Sequence, residues 1–381
     1  MKINLICGII TCLIISAVSC SDGKGNPQSP QTEQETSWNI KANDAQAELW
    51  RTYWNAGAYR FNSTELGSTT LNYWWQAHAL DVLVDYGSRT DTQAVVSKIS
   101  LLCNGINQAN SGFINDYYDD MEWMALANVR AFHLTQNQKY LSTAHELWSN
   151  IIPGWNTTSA GGGICWQKLQ TYYKNTPANA PAAILGARLY LIDNDTTYLN
   201  WSRKIYDWLT ATLVDSTTGI VWDGINRNND NKIDKLWLFT YNQGTYIGAS
   251  VELYSITKDS RYLSNAKKTM EAVMNNMVTP GTNILKSEGG GDGGLFKGIL
   301  VRYITELILI PELDASSRGK YIGFLTANAN SLWNKARRSS QFIFNNDWAL
   351  APTNTNFDLS VQLSAVMMLE AMAKLENNHL L

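Results

Sequence analysis

Hydrophobic residues along this chain recur with the spacing of an α-helix. One stripe joins Leu141, Ala144, Trp148 and Ile151, and similar stripes recur within 246–256 and 359–369. No comparable stretch of the sequence alternates hydrophobic and polar residues as a half-buried strand does. The pattern predicts twelve helices, at residues 41–58, 70–88, 91–109, 119–136, 138–152, 177–193, 196–214, 242–257, 260–277, 294–310, 316–336 and 358–376.

The helices follow a repeated template. A polar turn followed by Tyr-Leu recurs at 140–141, 198–199 and 262–263, which is typical of a two-helix unit that buries one face against its neighbours. Connections after even-numbered helices are short, whereas those after most odd-numbered helices are long, at 153–176, 215–241, 278–293 and 337–357. This alternation predicts an all-α (α/α)6 toroid of six hairpins in one domain, residues 38–381. The even-numbered helices are expected inside, and the long connections are expected on one face.

The N-terminus has the pattern of an export signal. Lys2 precedes an apolar run that is too short to span a bilayer comfortably, and small residues follow. The segment 17–20, Ala-Val-Ser-Cys, resembles a bacterial lipobox, although an ordinary secretory signal cut nearby is the alternative. We expect residues 1–19 to be a signal peptide, and residues 20–37 to be a lipidated Cys20 and a flexible tether. These features predict a Gram-negative lipoprotein, periplasmic or on the cell surface, that reaches the membrane through its anchor only.

Composition narrows the chemistry. The 381 residues carry a formal charge of −3, which gives no reason to expect nucleic acid as a partner. The 15 Trp and 18 Tyr against 4 His favour carbohydrate stacking over metal chemistry. No CxxC motif is present, and the 226–234 segment resembles a calcium loop without its turn glycine or terminal glutamate. We therefore expect no cofactor and no metal, and calcium in the 226–234 segment is the minority alternative. The pairing of Cys103 with Cys165 and the oligomeric state stay open.

Two consecutive aspartates, Asp119 and Asp120, begin the fourth predicted helix. Asp119 and Glu122 have capping-box spacing, and acidic residues suit the positive end of a helix dipole, so a structural cap is one interpretation. The alternation of connections places the same pair on the face that carries the long loops, where binding and catalysis concentrate. Acid–base and nucleophilic chemistry on a sugar is therefore the second interpretation.

Further candidates lie where the long connections meet even-numbered helices. An exposed tryptophan can stack on a pyranose ring, and amide side chains can bind paired hydroxyl groups. The same residues can serve as loop anchors or helix caps, so both interpretations stay open at this point. The candidates are Trp166, Gln167, Asn175, Tyr241, Asn242, Gln243, Phe296 and Lys297.

Five segments in order resemble glycoside hydrolase family 76, the α-1,6-mannanases: YWWQAHALDVLVDYG, YYDDMEWMALANVRAF, GGGICWQK, YNQG and FKGILVRY. The resemblance covers nearly the whole chain after the tether. It implies an (α/α)6 toroid and endo-hydrolysis of α-1,6-linked mannan with retention of configuration. It also implies that Asp119 is the nucleophile and Asp120 the acid/base. On this basis Trp74, Trp75 and Tyr118 join the candidates above as residues expected to bind substrate.

The positions of the two carboxyl groups fit these roles. The helix dipole should keep Asp119 ionised, whereas the neighbouring charge and rings such as that of Tyr118 should raise the pKa of Asp120. Two other functions fit the same sequence. One is a mannan-directed transglycosylase, in which a sugar replaces water as the acceptor. The other is a glycan-binding lipoprotein without activity.

Overall fold

The computed structural model describes residues 37–90 and 93–381 of the chain. This part of the chain contains twelve α-helices. The predicted signal peptide, Cys20 and the tether lie outside the described residues, apart from Ser37, whose side chain caps the first helix. Residues Ser37–Leu381 cluster into one compact unit. The helices are α1 (Trp38–Tyr53), α2 (Tyr73–Thr90), α3 (Gln93–Asn110), α4 (Tyr118–Thr135), α5 (Gln138–Ile151), α6 (Ala180–Asp193), α7 (Thr196–Leu213), α8 (Thr240–Thr257), α9 (Ser260–Asn276), α10 (Gly293–Ile308), α11 (Ala315–Asn334) and α12 (Leu359–Asn377).

The even-numbered helices close into a ring. Each of α2, α4, α6, α8 and α10 packs against the next, and α12 packs back against α2. The odd-numbered helices pack outside, for example α5 on α4 and α7 on α6. The fold is therefore the predicted (α/α)6 toroid, with the even-numbered helices inside.

The burial pattern of each helix explains its place. In α6, nearly every position from Ala180 to Leu189 is buried, as expected for a helix with neighbours on all sides. In α9, only a stripe that includes Tyr262, Ala266 and Met270 is buried. An amphipathic helix of this kind stabilises the fold by covering an apolar face and leaves its polar face in water.

The long connections gather at one end of the ring, where two short antiparallel strand pairs lie. The first pair is a hairpin of β1 (Trp54–Asn55) and β2 (Arg60–Phe61). The second pair joins two different connections, with β3 (Lys174–Asn175) from the one before α6 and β4 (Gly224–Ile225) from the one before α8. Both described cysteines, Cys103 and Cys165, are buried free thiols, so no disulfide links them.

Most helix bounds lie within one to three residues of the prediction, and two of the differences have a clear cause. Helix α1 ends at Tyr53 and not at residue 58, because the side chain of Gln76 holds Phe61 by both backbone groups and draws the following segment into the first hairpin. Helix α6 begins at Ala180 and not at residue 177. A 3₁₀ turn at Thr176–Ala178 precedes it, and Asn175 caps that turn.

Ion pairs join the inner helices nearer the end with short turns. Arg130 of α4 and Arg302 of α10 both bind Asp81 and Asp85 of α2. Partners on three helices fix how these helices align, because a displaced helix would leave a charge unpaired in a largely buried place. Among the described residues, no helix combines the length and hydrophobicity that a membrane span requires.

Candidate active site

An open cavity of about 600 Å³ lies at the end of the ring that carries the long connections. Its walls come from the N-terminal turns of α2, α4, α8 and α10 and from the connections between them. The lining residues are Leu71, Asn72, Tyr73, Trp74, Asn110, Asn115, Tyr117, Asp119, Asp120, Trp123, Trp166, Tyr241, Asp292 and Phe296. Both aspartates that begin the fourth helix therefore face one aromatic cavity.

Backbone pairing fixes the segment that presents the two aspartates. The amide of Tyr118 donates to the carbonyl of Trp166 at 2.9 Å, and the amide of Lys168 donates to the carbonyl of Asp116 at 2.9 Å. The connection that carries Trp166 thus runs antiparallel to the start of α4. This pairing holds an indole ring beside the first carboxyl group.

The capping-box interpretation of Asp119 does not describe this helix. Its N-cap is Tyr117, which makes no side-chain capping bond, and Asp119 is the second helical residue. Glu122 is fully buried, and among the described residues no hydrogen bond joins its carboxyl oxygens to the first turn of the helix. Asp119 is therefore free to face the cavity.

The carboxyl group of Asp119 accepts two hydrogen bonds. The indole Nε1 of Trp166 donates to Oδ2 at 3.1 Å, and the backbone amide of Asp120 donates to Oδ1 at 3.0 Å. Burial raises the pKa of Asp119 to about 7, and these two donors oppose the rise because they stabilise the charged form.

The surroundings of the Asp120 carboxyl group disfavour a negative charge more than those of Asp119 do. Burial, the neighbouring Asp119 and then Asp292 raise its pKa well above the ordinary value. Asp119 has two donors that stabilise its charged form, and no described side chain donates to Asp120, so Asp120 is the group of the pair that holds a proton more strongly. The raised pKa of Asp120 agrees with the expectation, whereas burial also raises the pKa of Asp119, against the expectation that the helix dipole keeps this group ionised.

Asp292 anchors one wall of the cavity. Its Oδ1 atom accepts hydrogen bonds from the indole nitrogens of Trp74 and Trp75, both at 2.9 Å. The ring of Trp74 also lies 6.3 Å from that of Phe296. One carboxylate thus fixes two tryptophans and adds negative charge near Asp120.

Aromatic rings form other parts of the wall. Tyr241 and Phe296 stack with ring centroids 3.9 Å apart and an interplanar angle of 5°. Tyr117 contacts Trp166 at 5.0 Å in an edge-to-face arrangement. Such surfaces suit a sugar, whose C–H groups pack on rings while its hydroxyl groups bind polar atoms.

Asp223 supports this wall from behind. It accepts hydrogen bonds from Tyr173 at 2.9 Å, from Asn242 at 3.0 Å, from Arg227 at 3.0 Å and from Tyr241 at 3.3 Å. It is buried, and burial raises its pKa while the four donors oppose the rise. The group fixes the tilt of the Tyr241 ring.

Several predicted substrate-binding residues do not line the cavity. Tyr118 is buried, and its ring packs on Gly154, where an added Cβ would come within 2.7 Å of it. Its neighbour Tyr117 lines the cavity instead, because consecutive residues at a helix start point about 100° apart. Trp75 contributes only through its bond to Asp292.

The remaining predicted residues that do not line the cavity hold loops in place. Gln167 pairs with Tyr117 through the backbone and bonds Gln170 with its side chain. Asn175 caps the 3₁₀ turn, and Asn242 binds Asp223. Gln243 binds the backbone of Val221, and Lys297 donates to the carbonyl of Asn346 at 2.6 Å. Trp74, Trp166, Tyr241 and Phe296 are the predicted binding residues that do line the cavity.

Sequence reasoning did not single out several lining residues, among them Tyr117 and Trp123, whereas Asp292 was a candidate at the start of the tenth predicted helix. Asp292 had a visible signal, since it lies in a glycine-rich segment directly before a predicted even-numbered helix. Its partners lie more than two hundred positions away in the chain, however, so only the folded structure reveals the contact.

The segment that resembles a calcium loop is tied to protein groups. Asn226 accepts from the amide of Asn231 and donates to the carbonyl of Tyr172, and Asp234 pairs with Arg227. Within residues 37–90 and 93–381, no group of three or more His, Cys, Asp or Glu side chains is placed to hold a metal ion.

Solved structures similar to this chain include mannan-degrading enzymes. The GH76A α-1,6-mannanase of Salegentibacter sp. HEL1_6 is 40% identical with a TM-score of 0.85, and the match covers 89% of this chain and 100% of that chain. A variant of that enzyme, inactive through replacement of two consecutive aspartates by asparagine, was solved with α-1,6-mannotriose. A family 76 mannosidase of Bacteroides thetaiotaomicron is 22% identical with a TM-score of 0.78 over 90% of this chain and 99% of that chain, and it shows the shared fold.

Curated relatives include fungal proteins. Mannan endo-1,6-alpha-mannosidase DCW1 of Saccharomyces cerevisiae is 27% identical over 223 residues, 52% of this chain and 49% of that protein. The Candida albicans protein of the same name is 26% identical over 220 residues, 52% of this chain and 48% of that protein. The chain spans about half the length of these relatives. The sequence model of glycosyl hydrolase family 76 matches residues 37–380, and the chain therefore belongs to that family.

Proposed function

We propose that this protein is a retaining endo-α-1,6-mannanase. The observation that carries the proposal is the pair of unequal carboxyl groups, Asp119 and Asp120, that faces one aromatic cavity. Retaining glycosidases need a nucleophile and an acid on either side of the scissile bond, with pKa values held apart. The similarity to an α-1,6-mannanase solved with α-1,6-mannotriose supports mannan as the substrate.

In the first step, an oxygen of Asp119 attacks the anomeric carbon of the mannosyl unit. The bond from that carbon to the O6 of the next sugar breaks, and Asp120 delivers its proton to the departing oxygen. The products of this step are a mannosyl ester on Asp119 and a shortened chain with a free hydroxyl group. Burial favours the proton on Asp120, whereas the two hydrogen bonds favour the charge on Asp119 against the effect of burial.

In the second step, Asp120 acts as a base. It takes a proton from water, the water oxygen attacks the anomeric carbon, and the ester bond to Asp119 breaks. Two inversions give net retention of the α-configuration. A sugar hydroxyl group in place of water would give transglycosylation, so analysis of products in the presence of an added mannose oligomer separates these two outcomes.

The first test is hydrolysis of linear α-1,6-mannan by the wild type and by Asp119→Asn and Asp120→Asn. Each variant should lose about 10³-fold or more in kcat/KM, as expected when a group that acts only in the transition state is removed. Asp116→Asn is the matched control, because Asp116 lies three positions upstream and its side chain is exposed. Full activity in either site variant, or no oligosaccharide released by the wild type, refutes the proposal.

A second test assigns the two roles. With an activated mannoside and added azide, Asp119→Ala should yield the β-mannosyl azide, because azide enters the space left by the nucleophile. Asp120→Ala should yield the α-mannosyl azide through the intact ester on Asp119. Proton NMR of the products distinguishes the two, and the opposite assignment of products would exchange the roles.

We also propose that the protein is exported and anchored through a lipid on Cys20. The support is the apolar run that ends in small residues before a cysteine, followed by a polar tether that begins at Ser21. Mass spectrometry of the mature N-terminus should show acylated Cys20, and Cys20→Ala should release the protein from the membrane fraction. An unmodified N-terminus at another position would overturn this proposal.

A further inference from the structure

The aromatic wall does not end at the cavity. Phe239 lies 5.2 Å from Phe296, which lines the cavity, and Trp237 lies 5.8 Å from Phe239. Trp74, Phe296, Phe239 and Trp237 therefore form a continuous row of rings, since Trp74 lies 6.3 Å from Phe296. We name this row the aromatic row. It runs from the cavity towards the surface of the connection before α8.

The outer end of the aromatic row is exposed. Trp237 is 44% exposed, and its neighbour Leu236 is 97% exposed. Single exposed hydrophobic residues are common on protein surfaces and need no explanation. Here two consecutive exposed hydrophobic residues lie at the end of the aromatic row, so they extend the apolar surface of that row outwards.

Trp237 is also held firmly for an exposed residue. Its ring lies over the guanidinium group of Arg227 at 3.2 Å, and its amide donates to the carbonyl of Asp234 at 3.0 Å. Arg227 is fixed in turn by Asp234 at 3.1 Å and by Asp223 at 3.0 Å. A preorganised ring loses little conformational entropy when a ligand packs on it.

A second line of contacts, through Arg227, also joins Trp237 to the cavity wall. Arg227 lies 4.9 Å from the ring of Tyr173, and Tyr173 contacts the ring of Trp166 at 6.0 Å. Trp166 holds Asp119. Tyr173 is buried, so this second route fixes the position of Trp237 relative to the cavity wall. The half-buried ring of Phe239 is what connects the cavity to the exposed ring of Trp237.

We propose that Leu236 and Trp237 form a remote binding surface for the same mannan chain that the cavity cleaves. This inference rests on the proposed function. Sugar units beyond those in the cavity would pack their C–H faces on the exposed part of Trp237 and on Leu236. The connection of this surface to the cavity through the aromatic row favours a polysaccharide over a protein partner. A polysaccharide chain that is bound in the cavity can reach the surface along the same row, without a separate binding event. The surface makes the enzyme prefer long chains.

The test compares kcat/KM for linear α-1,6-mannan with kcat/KM for α-1,6-mannotetraose. In Trp237→Ala, the ratio of polymer to tetramer should fall about three- to ten-fold, as expected for the loss of one aromatic contact. The change should lie mainly in KM for the polymer. Trp237→Phe should restore most of the ratio, and Leu236→Ala should lower it by a smaller factor.

Tyr59→Ala is the matched control. Tyr59 is also 44% exposed but lies in the β1–β2 hairpin, outside the aromatic row. It should leave the ratio unchanged. An equal fall for polymer and tetramer in Trp237→Ala, or an unchanged ratio, overturns the inference, since a structural role would affect both substrates alike.

Failure of the proposed function gives a different result. If the wild type hydrolyses neither substrate, the mannanase proposal fails, and retardation in native gels that contain linear α-1,6-mannan then decides the inference. A wild type retarded more strongly than Trp237→Ala supports the remote surface. Equal migration of the two proteins refutes it.

Discussion

The hydrogen bond from Trp166 to Asp119 offers a direct way to test how the site divides its two carboxyl groups. The indole Nε1 donates to Oδ2 at 3.1 Å, and Asp119 has one other described donor, the amide of Asp120. Trp166→Phe removes the N–H group but keeps an aromatic ring against Tyr117. The substitution therefore changes the charge balance of Asp119 more than the shape of the wall.

The size of the effect follows from the chemistry of that bond. A hydrogen bond to a charged group contributes about 1.5–3 kcal/mol, and a shift of one pKa unit corresponds to about 1.4 kcal/mol. Loss of the donor should thus raise the pKa of Asp119 by about one to two units, discounted somewhat because water can reach the cavity. The bond favours the ionised form, so its loss moves the pKa upward from the present value of about 7.

The assay is the pH dependence of kcat/KM on a mannose oligomer, which reports ionisations of the free enzyme. The acidic limb should move to higher pH by about one to two units, and activity below that limb should fall about ten- to hundred-fold. Trp208→Phe is the control, because Trp208 Nε1 donates to the carbonyl of Ala160 at 2.9 Å and touches no carboxylate. An acidic limb at the same pH in Trp166→Phe as in the wild type would refute the reasoning.

Three further predictions concern the same face. Asp292→Asn should move the alkaline limb of the kcat/KM profile to lower pH, because it removes a charge that raises the pKa of Asp120, while its amide oxygen still accepts hydrogen bonds from both indoles. Asp292→Ala should also raise KM, and an alkaline limb at the wild-type pH in Asp292→Asn contradicts the prediction. The Tm of Asp120→Asn should rise relative to that of the wild type as pH increases from about 4 to about 8. In the wild type the folded state holds a proton that the unfolded chain has released, so the stability of the wild type falls with pH over this range, and a Tm difference that does not change with pH argues against this account. Gly154→Ala should lower the free energy of unfolding by about 1–3 kcal/mol in urea titrations, since its Cβ would collide with the Tyr118 ring. Gly323→Ala, at an exposed position of α11, should be neutral or stabilising, and equal effects of the two substitutions contradict the packing argument.

The sequence predicted the fold well because its information is local. Helix stripes, the Tyr-Leu turns and the lengths of the connections are visible without any tertiary contact, and they predict both the toroid and the face that carries the site. The errors lie at ends of helices where a distant residue intervenes. Gln76, for example, ends α1 early by holding Phe61.

The site was predicted less completely than the fold, because side-chain partners in the site come from distant parts of the chain. Asp119 and Asp120 were found from their position at a helix start on the elaborated face. Asn242, Gln243 and Lys297 have side chains suited to sugar hydroxyl groups, yet the structure turns each of them towards a protein partner. Composition and spacing cannot separate these outcomes, because an amide in a binding site and an amide that holds a loop have the same chemistry.

The chain alone therefore determined which helices form, their alternation between inner and outer layers, and the pair of acids at the start of α4. Tertiary structure decided which side chains reach the cavity. It placed Tyr117 there and buried Tyr118, and it brought Asp292 to Trp74 across the ring. The physical reason is the sequence distance over which each feature is set. Helical periodicity repeats every 3.6 residues, whereas the direction of a side chain at a loop end depends on partners that lie tens to hundreds of positions away in the chain.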